Sequence, residues 1–214
     1  MKPVCIIAGA GEYYGHAISP GPDDYVIAAD AGFLRLRERG VRVDEVIGDF
    51  DSTGYRPDHP NVVQLPVMKD DTDMLYALRV GIEKGYRTFH LYGGTGGRLD
   101  HTLANIQCLH WLARQGMRGF LYGKGCVLTA LRGGALSFDA PAGRTVSVFA
   151  LGERAEGVTI SGLKYTTDDA CLTCEFPIGV SNETIGQQAR ISVRKGTVLL
   201  YLPDEAEIQA ETQP

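Results

Sequence analysis

What the 214 residues lack narrows the possibilities first. There is no long run of Lys or Arg, and 21 basic residues against 26 acidic ones leave a formal net charge of −5. Nucleic-acid binding draws on clustered cations, so no nucleic-acid partner is expected. A small anion stays open, because one Arg or Lys plus a metal can handle a few phosphates. No apolar stretch approaches the roughly 20 residues of a membrane span, and no membrane partner is expected. Met1 to Gly9 runs straight into a short apolar strand, without the longer apolar stretch and cleavage site of a secretory leader. That predicts a cytoplasmic chain. Low-complexity tracts and internal repeats are also missing.

The five cysteines are odd in number and scattered, so free thiols are expected. Cys171 and Cys174 form one CxxC, but a zinc site needs two more ligands nearby, and the sequence supplies none. The surrounding Leu172 to Phe176 reads as strand instead.

What is present has two textures. The first part alternates short apolar runs (Val4–Ala8, Tyr25–Ala29, Glu45–Gly48, Val62–Leu65, Thr88–Tyr92, Gly119–Tyr122) with helical spacings. Met74–Lys84 carries Leu75, Leu78 and Ile82 and is closed by Gly85; Leu103, Ile106, Leu109 and Ala113 are closed by Gly116; Phe33–Arg39 ends at Gly40. From Val127 onward, short runs at Thr145–Leu151, Val158–Leu163, Ala170–Phe176, Ala189–Val193 and Thr197–Leu202 are parted by turn residues. The expected fold is an α/β N-terminal domain with a mostly parallel sheet (1–126), followed by an all-β C-terminal sandwich (127–214). The last ten residues read as a frayed tail.

Open parallel sheets bind ligands at the carboxyl ends of their strands, and there the acidic residues collect. Asp30 follows the second run; Asp49 and Asp51 follow the third, before Ser52; Asp70, Asp71 and Asp73 stand where the fourth connection enters a helix; Asp100 lies beyond the fifth. Gathered carboxylates repel unless cations relieve them. Magnesium takes one or two carboxylates and leaves room for water and phosphate, where it can neutralise charge in phosphoryl transfer. Taken singly, Asp71, Thr72 and Asp100 are equally well read as helix N-caps. Their coincidence on one sheet edge favours a site.

Gly93-Gly94-Thr95-Gly96-Gly97 can bring backbone amides close to an anion, with a helix N-terminus behind it. A flexible turn is the plainer alternative. No Gly-Lys-Ser/Thr follows, so it is no Walker A loop. Arg98 offers a planar cation for phosphate oxygens, and His101 reads as structural. Gly9-Ala10-Gly11 with Asp30 imitates a dinucleotide fingerprint, which would imply a dehydrogenase, but the spacing is one residue too long and Gly15 and Pro20-Gly21-Pro22 interrupt the helix it needs.

With these motifs in order, the chain resembles the thiamine pyrophosphokinases (thiamine diphosphokinases) of bacterial type. Ala28 to Gly32, Gly48 to Ser52, Lys69 to Asp73 and Gly94 to His101 look like family signatures, and Gly179 to Glu183 looks like the C-terminal one. The resemblance implies ATP plus thiamine giving AMP plus thiamine diphosphate, with Mg2+, in a homodimer whose active sites lie between subunits. By position it gives Asp49, Asp51, Asp73 and Asp100 to metal and catalysis. Asp30, Lys69, Thr72, Gly94, Gly97 and Arg98 go to ATP, and Ser181 and Asn182 to thiamine. Some members have an amide residue at the place of Lys69, and eukaryotic members tend to carry an aromatic ring at that of Asn182. The alternatives are a diphosphotransferase acting on a hydroxymethylpterin and a nucleotide-binding sensor without turnover. Which aspartate takes the alcohol proton stays open.

Overall fold

The computed structural model describes residues 2–50, 57–66 and 71–210. The chain divides into two compact units, residues 1–108 with 119–124, and residues 109–118 with 125–214. The division differs from a single cut at residue 126, because the helix of the Leu103–Ala113 spacing is shared between them.

In the first unit, β1 (Cys5–Ala8), β2 (Tyr25–Ala29), β3 (Glu45–Gly48), β4 (Val62–Gln64), β5 (Thr88–Tyr92) and β6 (Arg118–Gly123) lie in the order β6-β5-β1-β2-β3-β4. The β1–β2, β1–β5, β2–β3 and β3–β4 pairs are parallel. Parallel strands need crossovers and read as unbroken apolar runs when both faces are covered; Cys5 through Ala8 are all buried.

Helices supply the cover. Phe33 and Leu36 of α1 (Gly32–Glu38) join Ile6, Ala8, Val26, Ala28 and Val46 in one apolar cluster. The alternate strand positions look elsewhere: Cys5 and Phe89 crowd Gly81 of α2 (Asp73–Glu83), where a Cβ would lie 2.7 Å from Phe89 Cε1. Burial accordingly pushes the Cys5 thiol pKa up. α3 (Leu99–Arg114) follows β5 and begins a turn earlier than its apolar spacing suggests.

The first unit's chain turns sharply where β2 ends. Asp30 takes a left-handed φ of 50°, a conformation that Asp tolerates better than most residues. Two residues on, a Cβ on Gly32 would sit only 1.9 Å from the Ala8 carbonyl oxygen. No other residue lets α1 start against the end of β1.

The second unit contains β7 (Cys126–Asp139), β8 (Thr145–Ser161), β9 (Thr167–Thr173), β10 (Asn182–Glu183), β11 (Ala189–Pro203) and β12 (Glu207–Ala210). Their order is β10-β8-β11-β7, with β9 on β8 and β12 on β7, and these pairings are antiparallel. Several expectations change here. The runs at Thr145–Leu151 and Val158–Leu163 fall largely within one strand, as do Ala189–Val193 and Thr197–Leu202, because bulges carry the pairing past the intervening glycines. Residues 207–210 of the supposed tail pair with β7. All five cysteines are thiols, and no helix among the described residues is long and apolar enough to cross a membrane.

Phe89 is fully buried. Phe89→Ala is therefore expected to destabilise the chain by about 3–5 kcal/mol, read as a shift in the urea unfolding midpoint with an unchanged slope.

Candidate active site

Parallel pairing puts the carboxyl ends of β1 to β5 along one edge, and the loops leaving β1 and β5 meet there. Gly9 N donates to Tyr92 O at 2.8 Å, Gly11 N to Gly93 O at 2.8 Å and Glu12 N to Thr95 O at 3.0 Å. The approach needs glycine: a Cβ on Gly11 would lie 2.5 Å from Thr95 O and 2.7 Å from Gly93 O. Asn105, buried on α3, donates from Nδ2 to Gly94 O at 2.8 Å. Thr95 Oγ1 donates to Tyr122 O at 3.2 Å, and Tyr13 OH to Gly9 O at 2.8 Å. The carbonyls of this double loop are thus tied inward. Among the described residues, no backbone carbonyl or side chain accepts from the amides of Gly94, Gly96 and Gly97.

A cavity of about 270 Å³ opens above the double loop. Its wall comprises Gly9, Ala10 and Gly11 after β1, Ala29 and Asp30 after β2, and Thr72, Asp73 and Met74 at the start of α2. The β5–α3 connection adds Gly93, Gly94, Thr95, Gly97 and Arg98, and α3 adds His101, Thr102 and Asn105. Two helix N-termini therefore border one hollow, and both favour negative charge through their unpaired amides and dipoles. Thr72 caps α2, its Oγ1 accepting from Leu75 N at 3.2 Å. Thr72 thus lines the cavity while serving as the N-cap that its spacing also allowed. Asp71 pairs with Arg79 at 2.9 Å.

The expected site residues do not all share this wall. Asp30, Thr72, Asp73, Gly94, Gly97 and Arg98 are on it. Asp49 follows β3 at the same sheet edge, and the next residue, Phe50, takes a left-handed φ of 58°. Asp51 and Lys69, with Ser52 and Asp70, lie outside the described residues. Asp100 stands in the first turn of α3 beside the wall. It accepts from Arg98 Nη2 at 2.6 Å and Nε at 3.2 Å, and from His101 N at 3.0 Å. The hydrogen-bonded guanidinium holds the Asp100 carboxyl at about 2, well below the usual carboxylate range. His101 is on the wall although it reads as structural in the sequence.

Gly9, Ala10, Gly11 and Asn105 were not among the sequence candidates, and Thr95 entered only as part of the glycine run. The first loop was visible only as a failed dinucleotide fingerprint. No helix follows it, the chain passing from β1 to β2 without one; its glycines serve contact with the second loop.

Ser181 and Asn182 belong to the second unit. Ser181 is exposed with a left-handed φ of 61°, and its N–H donates to Ser147 Oγ at 3.1 Å. Asn182 is buried, and its amide mimics a strand partner for Tyr165: Tyr165 N donates to Oδ1 at 3.0 Å, and Nδ2 donates to Tyr165 O at 2.7 Å. Glu183 N also donates to Oδ1, at 2.8 Å.

Amide donors, paired helix N-termini, an arginine and carboxylates at one parallel-sheet edge define an α/β protein built to hold a phosphorylated ligand. Residues 22–121 match the family model "Thiamin pyrophosphokinase, catalytic domain", and residues 136–198 match "Thiamin pyrophosphokinase, vitamin B1 binding domain". The chain belongs to the thiamin pyrophosphokinase family. It is 27% identical to the thiamine pyrophosphokinase of Bacillus subtilis (strain 168), over 94% of this chain and 98% of that one. The crystal structure of the B. subtilis enzyme superposes with a TM-score of 0.82 at 25% identity, covering 94% of this chain and 99% of that one. That of the Geobacillus thermodenitrificans protein gives 0.78 at 26% identity, covering 95% and 98%. The yeast thiamin pyrophosphokinase, at 14% identity and 0.70 over 94% and 85%, shares the fold.

The Arg98–Asp100 pair carries a pH prediction. The Asp100 pKa is lowered on folding, so its stabilising contribution is present above the ordinary carboxylate pKa near 3.8 and is lost as pH falls through about 2. An NMR titration of the side-chain carboxyl should find its midpoint near 2, moving up to the ordinary range in Arg98→Gln.

Proposed function

We propose that this chain transfers the terminal diphosphate of ATP to the hydroxyl of thiamine, releasing AMP and thiamine diphosphate. The reading rests on the cavity wall, where the double glycine loop, two helix N-termini and Arg98 face the same hollow as Asp30 and Asp73. The family match of both regions of the chain supports the alcohol as thiamine.

The chemistry follows from what each group can do. Glycine-loop amides and the α2 and α3 termini bind the triphosphate and hold it in one orientation. Arg98, turned from Asp100 toward the cavity, adds a planar cation for phosphate oxygens. The thiamine hydroxyl oxygen attacks the β-phosphorus, the bond from that phosphorus to the α-phosphate oxygen breaks, and AMP departs with the electron pair. A carboxylate at the sheet edge accepts the hydroxyl proton.

The donor set also fits a magnesium ion. Among the described residues no group of three or more acidic, His or Cys side chains forms a metal cage. Magnesium does not require one, since it keeps waters and substrate phosphate oxygens beside one or two carboxylates. Asp30 and Asp73 on the wall, with Asp49 at the same edge, are hard oxygen donors of that kind; we assign Asp51 and Asp100 to the same cluster, and Lys69 to the ATP phosphates, by position. When bound, magnesium would neutralise phosphate charge during transfer.

For the second unit, we read an all-β sandwich that holds thiamine and joins two copies of the chain; the first unit we read as the α/β catalytic domain. Ser181 contributes to the thiamine pocket. Asn182 acts there through Tyr165, whose backbone it holds. Tyr165, Phe176, Ile178, Val180 and Ile185 are large apolar side chains left exposed in this unit, the kind of surface that a homodimer covers. The thiol state of the cysteines fits a cytoplasmic setting.

Purified protein with ATP, magnesium and thiamine should form AMP and thiamine diphosphate in equal amounts. Asp73→Asn should lower the rate about 100-fold or more while keeping the unfolding midpoint close to wild type. Product only with a hydroxymethylpterin, or ATP binding without AMP formation, would overturn the assignment.

A further inference from the structure

The second unit holds a hollow that the proposed reaction does not use. It has a volume of about 270 Å³ and is lined by His110 and Arg114 of α3, Arg132 of β7, Leu151 to Arg154 of β8, and Gly196 and Thr197 of β11. None of these residues lines the first unit's cavity.

The hollow is a product of strand irregularity. Along the β8–β11 ladder, Thr197 pairs with Leu151 and Lys195 with Glu156, so Gly152, Glu153, Arg154 and Ala155 stand opposite Gly196 alone. Such a bulge bends its strand and re-aims side chains. Glycine is needed at both turns. Gly152 has a φ of 96° and Gly196 one of 92°, and a Cβ on Gly196 would lie 2.5 Å from Arg154 O. His110 Cε1 is 3.9 Å from where a Cβ on Gly152 would stand, so the ring faces the bulge.

The charge in the hollow is lopsided. Arg114, Arg132 and Arg154 face it with Glu153 as the carboxylate. Glu153 meets Arg154 at 3.6 Å, a solvent-exposed contact of little energetic weight. Arg132 donates from Nη1 to Thr197 Oγ1 at 3.4 Å, which fixes its direction without neutralising it. Among the described residues, neither Arg114 nor Arg132 has a carboxylate within ion-pairing distance. Burial, and then the charges of Arg114 and Arg132, lower the His110 pKa, as expected for a ring set in a positive field. A chain of net charge −5 thus concentrates uncompensated arginines around one pocket.

We propose that this hollow is a second anion site that takes a small phosphate-bearing molecule, held by the guanidinium forks of Arg114 and Arg132. Arginine suits the task because its planar donors match phosphate oxygens in pairs and its charge does not titrate. The site does not depend on the assigned reaction.

The test is a heteronuclear NMR titration of the full chain with sodium diphosphate and, separately, with AMP, at matched ionic strength. Backbone amides of Gly152 and Gly196 should shift and saturate, and Arg114→Gln with Arg132→Gln should weaken the midpoint by about tenfold or more. Unchanged melting of the double variant excludes a folding defect, and Glu153→Gln, which removes the opposing charge, should tighten binding. The tighter of the two probes identifies the source as free diphosphate or a nucleotide. Absence of a saturable shift at millimolar probe, the same response to chloride, or equal midpoints in wild type and double variant overturns the proposal.

Discussion

The site depends on two glycine loops being stitched together by their backbones. The loop after β1 donates from Gly9, Gly11 and Glu12 to carbonyls of Tyr92, Gly93 and Thr95. These carbonyls are thereby turned away from the hollow, where they would repel a phosphate. Because the contact is backbone to backbone at van der Waals limits, it has no room for a side chain at Gly11. Asn105 fastens the Gly94 carbonyl from beneath, so the start of α3 and the loop act as one body. Arg98 and the first turn of α3 follow directly on this loop, so its placement carries over to them.

Acidic residues then take their meaning from topology. Parallel pairing of β1, β2 and β3 delivers Asp30 and Asp49 to the same edge although they are far apart in sequence from Asp73. Asp30 reaches the wall through a left-handed residue conformation, a locally unfavourable geometry of the kind found at functional sites. Asp100 behaves differently: Arg98 holds it in a bidentate pair beside the cavity. An arginine parked on a carboxylate is pre-positioned to exchange that partner for another anion.

Much of the first unit was legible because parallel strands buried on both faces have a strong sequence signature. The spans Tyr25–Ala29, Glu45–Gly48 and Thr88–Tyr92 agree with β2, β3 and β5 residue for residue. Legibility fell in the second unit. Gly133 and Gly134 lie inside β7, and Gly152, Gly157 and Gly196 inside β8 and β11, where they form bulges rather than turns. A glycine in a long bulged strand and a glycine in a hairpin turn look alike without a partner strand. The Gly9–Gly11 loop is hard to read from sequence for a similar reason: its glycines answer to a loop more than eighty residues away. Asn182 illustrates a further limit, since pairing of its side chain with the Tyr165 backbone is a tertiary fact.

Hydrogen–deuterium exchange on the full chain, with and without ATP and magnesium, tests the phosphate-binding role of the double loop most directly. Nucleotide is expected to slow exchange in peptides spanning residues 93–98 and the first turn of α2, because their amides acquire phosphate acceptors. Saturating nucleotide that leaves exchange in both segments unchanged, with protection confined to the second unit, would contradict it.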